Sequence, residues 1–157
     1  MRKLIYLSLI DRLKRLTDGN GQPALRHFDL WNEQVEFIEQ EEPFDTPAVF
    51  VEFRPVRWTT LGGLAQQADV DIRLHIVTRW KGSAKDGSVF QTDALERFAM
   101  LDRIDNALFN LQGADGGTSF CMFRRTGSST NHNHDELVED IADYACKVNE
   151  RLTADNE

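Results

Sequence analysis

The chain has 157 residues, 41% hydrophobic and 28% charged, with a formal net charge of −8. Such a chain suits one folded domain that buries about 68–70% of its unfolded surface, and disorder is not expected through its body. The acidic balance argues against tight phosphate-backbone binding, which needs clustered lysine and arginine, and the two cysteines, Cys121 and Cys146, form neither a zinc spacing nor a disulfide framework. Reduced thiols in a cytoplasmic protein are the expectation.

The first residues open like a secretory signal, with Arg2 and Lys3 before an apolar run. Asp11, Arg12, Lys14 and Arg15 follow at once, so neither a signal nor a membrane span is expected. Residues 2–16 instead predict an amphipathic helix, with Ile5, Leu9, Leu13 and Leu16 on one face. The run 17–23, TDGNGQP, stops it.

Residues 27–40 divide between two readings. Phe28 and Leu30, then Val35 and Phe37, alternate like a small hairpin about Asn32 and Glu33, while Trp31, Val35 and Ile38 would also line a helix. The hairpin is favoured. An acidic stretch with Pro43 and Pro47 closes the segment in extended geometry.

Residues 48–53, AVFVEF, predict a buried strand, and Pro55 marks a bulge or edge before 56–60 continues. After a turn at 61–64, residues 68–80 give the cleanest period of two in the chain: Val70, Ile72, Leu74 and Ile76 alternate with Asp69, Asp71, Arg73 and His75. A long antiparallel hairpin, 48–60 against 67–80, follows.

A polar loop at 81–88 leads to a second helix, 92–112, capped by Thr92 or Asp93. Its apolar stripe takes in Leu95, Phe98, Leu101, Ile104 and Leu108, and the glycines from Gly113 onward end it. Residues 120–125 resume as a strand. Residues 137–148 satisfy either a helix through Leu137, Ile141 and Val148 or a strand face through Val138, Ala142, Tyr144, Cys146 and Val148; periodicity alone does not decide. The tail 153–157 is expected to fray.

The order of elements predicts a single α+β domain over 1–157: an antiparallel sheet of about four main strands, with helices 2–16 and 92–112 packed on one face.

Chemistry is sparse. In an extended segment His132 and His134 would point the same way and, with Asp135 or Glu136, could bind a divalent metal. A solvated loop tip is the simpler reading, because a full ligand set is missing, and no metal or other cofactor is expected. There is no G-x-S-x-G and no P-loop. Asp69 with Asp71 and Glu41 with Glu42 read as solvated faces, and Cys121 and Cys146 as inert thiols in apolar strands. An enzyme is not expected. Trp58 and Trp80 stand at strand ends beside Arg57, Arg79 and Lys81, a mixture enriched at protein interfaces. With Arg73 they form the candidate assembly surface.

The stretches 27–32 (HFDLWN), 47–53 (PAVFVEF), 71–77 (DIRLHIV), and Arg125 and Thr126 through Asn131, His132, Asn133 and His134 resemble the tail-completion, or tail-terminator, proteins of long-tailed bacteriophages and prophages. The resemblance implies a non-enzymatic α+β subunit that closes into a ring, commonly a hexamer, on the tail tube, where it stops tube growth and joins tail to head. Its partners would be further copies of itself, the tail-tube protein and a head-connector protein. DNA would pass through without sequence-specific binding, and no membrane is implied. The implied location is the host bacterial cytoplasm during assembly, then the virion.

The resemblance also favours a C-terminal hairpin, 118–127 against 137–149, with Cys121 opposite Cys146 and Arg124 opposite Asp143. Loops 61–66, 81–90 and 127–135 become candidates for reaching neighbours. Replacing Arg73 and Arg79 by Glu is then expected to impair assembly more than folding.

Overall fold

A computed structural model describes residues 1–33, 44–132 and 135–153. Its centre is the strand Ala65–Arg79 (β4). Residues Val70, Ile72 and Leu74 are fully buried on one face while Asp69 and Asp71 are exposed on the other. Two helices cover the apolar face. Helix α1, Arg2–Lys14, contributes Ile5, Leu9, Ile10 and Leu13, and α2, Gln91–Leu108, contributes Met100, Ile104 and Leu108. Truncating a fully buried aliphatic such as Leu74 to Ala would cost about 2–5 kcal/mol.

Strands β2 (Ala48–Phe53) and β3 (Arg57–Gly62) both run antiparallel to β4, from Ala48 opposite Val77 to Arg57 opposite Asp69. This is the long hairpin expected from the sequence, interrupted around Pro55, where the ring leaves no amide to donate. On its other side β4 pairs along its whole length with β7, Leu137–Arg151. That pairing resolves the C-terminal ambiguity in favour of the strand, and Tyr144, Cys146 and Val148 enter the core.

The sheet is larger than the four strands expected. Seven strands lie among the described residues, ordered β1-β2-β4-β7-β6-β5 with β3 beside β4, where β1 is His27–Leu30, β5 is Gly113–Asp115 and β6 is Thr118–Asn131. It is mixed rather than antiparallel, because β1 lies parallel to β2, His27 opposite Ala48. Of the hairpin expected over 27–40, the first arm is therefore a strand paired with β2, while residues 34–40 lie outside the described residues.

Helix α2 is shorter than expected. Phe90 takes the cap position with no side-chain hydrogen bond, so neither Thr92 nor Asp93 caps it. The helix stops at Leu108, and Asn110 adopts a positive φ of 58° as the chain turns into β5, which pairs with β6. Leu95 and Phe98, expected on the buried stripe, are 58% and 51% exposed. Helix α1 likewise ends before Leu16, which is only partly buried.

The C-terminal hairpin exists, but its register differs from the expected one. Cys121 opposes Lys147 and Arg124 opposes Ala145, while Asp143 faces Gly127. The offset is set at the turn, where Asn131 already lies opposite Glu139, and it narrows toward Cys121 through two irregularities, one between Cys121 and Arg124 and one between Arg125 and Gly127. At the first, Met122 has φ 58° and turns outward, which lets both Phe120 and Phe123 face the core.

Asp105 of α2 accepts a hydrogen bond from the Tyr144 hydroxyl and pairs with Arg125. Burial raises the Tyr144 phenol above its ordinary range, so it stays a donor.

Candidate assembly interface

The six residues expected at an interface do not form one patch. Arg57 and Trp58 stand opposite Asp69 and Ala68 near one end of β4, whereas Arg79, Trp80 and Lys81 lie at and beyond the other end. Ten residues of extended strand separate Asp69 from Arg79, roughly 33 Å. Trp58 is half-buried against the helix-side core. Arg73 is engaged on the outer face, its Nε donating to Asp143 Oδ1 at 2.8 Å and its Nη2 to Oδ2 at 3.3 Å. Hydrogen bonding to Asp143, and then its negative charge, raises the Arg73 guanidinium above its ordinary range despite partial burial.

The outer face is not uniformly polar, as the alternation along β4 suggested. Toward its C-terminal end Ala48, Phe50, Val77 and Leu137 form a second cluster, with Trp31 and Phe44 packed on it. His75 is buried beneath this cover, its ring stacked on Trp31 at 3.6 Å with planes 4° apart. Its Nδ1 lies 2.8 Å from Glu139 Oε1 and its Nε2 lies 2.8 Å from Glu52 Oε2. Glu52 also accepts from Arg54 at 2.7 Å. Burial pushes the Glu52 carboxyl up, but the hydrogen bonds from His75 and Arg54 and their positive charge outweigh it and hold the group below its ordinary value of 4.5.

Arg79, Trp80 and Lys81 do come together, on the rim of a cleft of about 380 Å³ between the end of β4, α2 and the loop after α1. Ala24, Pro47, Phe90 and Met100 give it an apolar lining. Asp18 shapes the loop by accepting from the amides of Asn20 and Gln22, and Arg103 ties α2 to it by donating to the Thr17 carbonyl at 2.7 Å. Gly82, at φ 128°, lets the Phe90 ring cross the backbone; a Cβ there would lie 2.6 Å from the ring.

Five cations line the cleft (Arg26, Arg79, Lys81, Arg97 and Arg103) against three acidic residues. Arg97 is used by Asp140 at 3.2 Å and Lys81 approaches Asp93 at 3.7 Å. Arg26 and Arg79 make no ion pair among the described residues and are exposed. The cleft therefore presents positive charge on a protein of net charge −8. Arg26, the cap residue Phe90 and the α2 residues Arg97 and Arg103 were not legible as a site, because the cleft forms only where α2 meets the end of β4 and the loop after α1.

For the metal reading, His132 packs edge-on to Trp80, with ring centroids 6.2 Å apart. Asp135 is exposed and His134 lies outside the described residues. Among the described residues no three potential ligands converge. Cys146 is buried, and burial, with Cys121 nearby, pushes its thiol up to about 12.

No protein-family model matches this sequence, and no curated protein matches it. The fold has a solved counterpart in the virion of a native gene transfer agent particle: a TM-score of 0.58 over 94% of this chain and 96% of that chain, at 10% sequence identity. What the two chains share is the fold.

Proposed function

We propose that this protein is a structural subunit of a phage-like particle, which closes into a ring on the end of the tail tube and joins tail to head. The observation that carries this reading is the end-to-end likeness to a chain of a gene transfer agent virion, which covers nearly all of both chains and so is more than a shared motif. The sequence resemblance to tail-completion proteins points the same way. The surface suits assembly: Trp80, Val89, Phe90, Leu95 and Phe98 all expose large apolar side chains within one short stretch. Work is then done by association rather than turnover, and the excess of acidic residues would keep passing DNA from adhering to a ring of such subunits.

The test is co-expression with a tail-tube protein from the same source, followed by light scattering and negative-stain microscopy. Rings seated on tube ends of uniform length are the expected result. Tubes that grow without limit and carry no added density would refute the capping role. Density at the portal alone would favour a connector subunit.

A further inference from the structure

We infer that the cationic cleft receives an acidic segment, residues 33–42, from a neighbouring copy of the same chain; this rests on the ring reading above. The first observation is where the charge sits. Between His27 and Phe53 there are eight acidic residues and no lysine or arginine, and the other 18 acidic residues balance the 18 lysines and arginines of the chain. The entire formal charge of −8 is thus carried by one stretch.

The second observation is chemical fit. The segment reads EQVEFIEQEE, in which Glu33, Glu36, Glu39, Glu41 and Glu42 surround Val35, Phe37 and Ile38. The cleft offers the converse, an apolar lining of Ala24, Pro47, Phe90 and Met100 beneath Arg26, Arg79 and Lys81. Carboxylates would meet the guanidinium groups of Arg26 and Arg79, which make no ion pair among the described residues, and apolar side chains would fill the floor. Small anions would satisfy the rim but leave the floor exposed, so a peptide is the better occupant.

The third observation concerns which copy supplies it. Trp31 and Phe44, which flank the segment, pack over His75 and Phe50 on the outer face of the sheet. The cleft is walled mainly by α2, on the helix side, with Thr46 and Pro47 at its rim. A donor on one face and an acceptor on the other make a heterologous contact, the kind that propagates around a ring. The exposed Val89 and Leu95, which flank the cleft residues Phe90, Asp93, Ala94 and Glu96 in sequence, would be covered by the same neighbour.

The experiment uses the full-length chain in two charge-reversed forms, Arg26→Glu/Arg79→Glu/Lys81→Glu and Glu39→Lys/Glu41→Lys/Glu42→Lys, alone, mixed and combined, each shown by circular dichroism to melt like the parent. Either triple variant alone should lose self-association, and the combined chain, with charges exchanged, should regain it. A fluorescent peptide of residues 33–42 should bind the parent and bind the cleft variant about tenfold or more weakly, with affinity falling as salt rises. Normal rings from both triple variants would overturn the inference and leave the ring reading standing. Parent protein that forms no ring on tubes would remove the ring reading, and the peptide would then decide the cleft: salt-sensitive binding supports it, absent binding overturns it.

Discussion

His75 on β4 and Glu139 on β7 form a buried cross-strand pair, Nδ1 to Oε1 2.8 Å, on a sheet face whose charge pattern suggested exposure to solvent. Residues from two distant segments make the difference. Trp31 stacks on the imidazole, and Phe44 with Phe50 closes the neighbouring apolar patch. A polar row is thereby converted into a point where β2, β4 and β7 are held together by side chains as well as by the ladder.

His75→Phe should be strongly destabilising. The new ring can still stack on Trp31, but Glu139, at 3% exposure, keeps a buried charge without its donor. Removing one partner of a buried pair costs about 3–5 kcal/mol, whereas replacing both with apolar groups is often neutral. Urea unfolding should show a large loss for His75→Phe and recovery of most of it in His75→Phe/Glu139→Leu. Equal losses in both variants would mean that packing, rather than the unpaired charge, sets the cost.

Glu52 predicts the acid response. Its carboxyl is held below 4.5 in the folded state, so the unfolded chain takes up its proton first as pH falls. The stabilisation is therefore complete above the unfolded value and is lost as pH drops through the folded one. Chemical unfolding followed from pH 6 downward should show stability declining below about 4.5, with a shallower slope for Glu52→Gln. Identical slopes would place the acid sensitivity in other carboxylates.

Much of this architecture is legible in the sequence, and the losses have identifiable causes. Ile5, Leu9 and Leu13, and Val70, Ile72 and Leu74, declare a helix and a strand because each meets one apolar surface along its length. Gly113–Asp115 has no apolar pattern to declare, and its pairing depends on the turn at Gly116 and Gly117. The β6–β7 register departs from the expected one at the turn, where Asn131 meets Glu139, and shifts again at Met122, because neither a turn position nor a bulge disturbs composition. The parallel pairing of β1 with β2 and the burial of His75 depend on contacts between segments far apart in sequence. The cleft is harder still, since Arg26, Arg79 and Arg97 become neighbours only once α2 has docked.

The strand register also separates the two thiols. With Cys121 opposite Lys147 rather than Cys146, the cysteines point to opposite faces, Cys121 half-buried and Cys146 inside the core. At pH 8 a thiol reagent should modify at most Cys121 in the native protein and both cysteines in urea. The Cys146 thiol, pushed up to about 12, contributes essentially no thiolate there. Oxidation should yield no intrachain disulfide; an intact-mass decrease of two hydrogens in the monomer would contradict the register.

Arg73 and Arg79, grouped at the outset as interface residues, should behave differently. Arg73→Glu sets a carboxylate beside Asp143, turning a bidentate pair into repulsion. Because both partners are about one-third exposed, the loss should be only about 1 kcal/mol. The exchange Arg73→Glu/Asp143→Arg should restore it. Arg79 has no ion-pair partner among the described residues, so Arg79→Glu should leave the melting temperature unchanged while weakening self-association measured by sedimentation. If Arg79→Glu instead unfolds the chain, or associates as tightly as the parent, the end of β4 is not where copies meet.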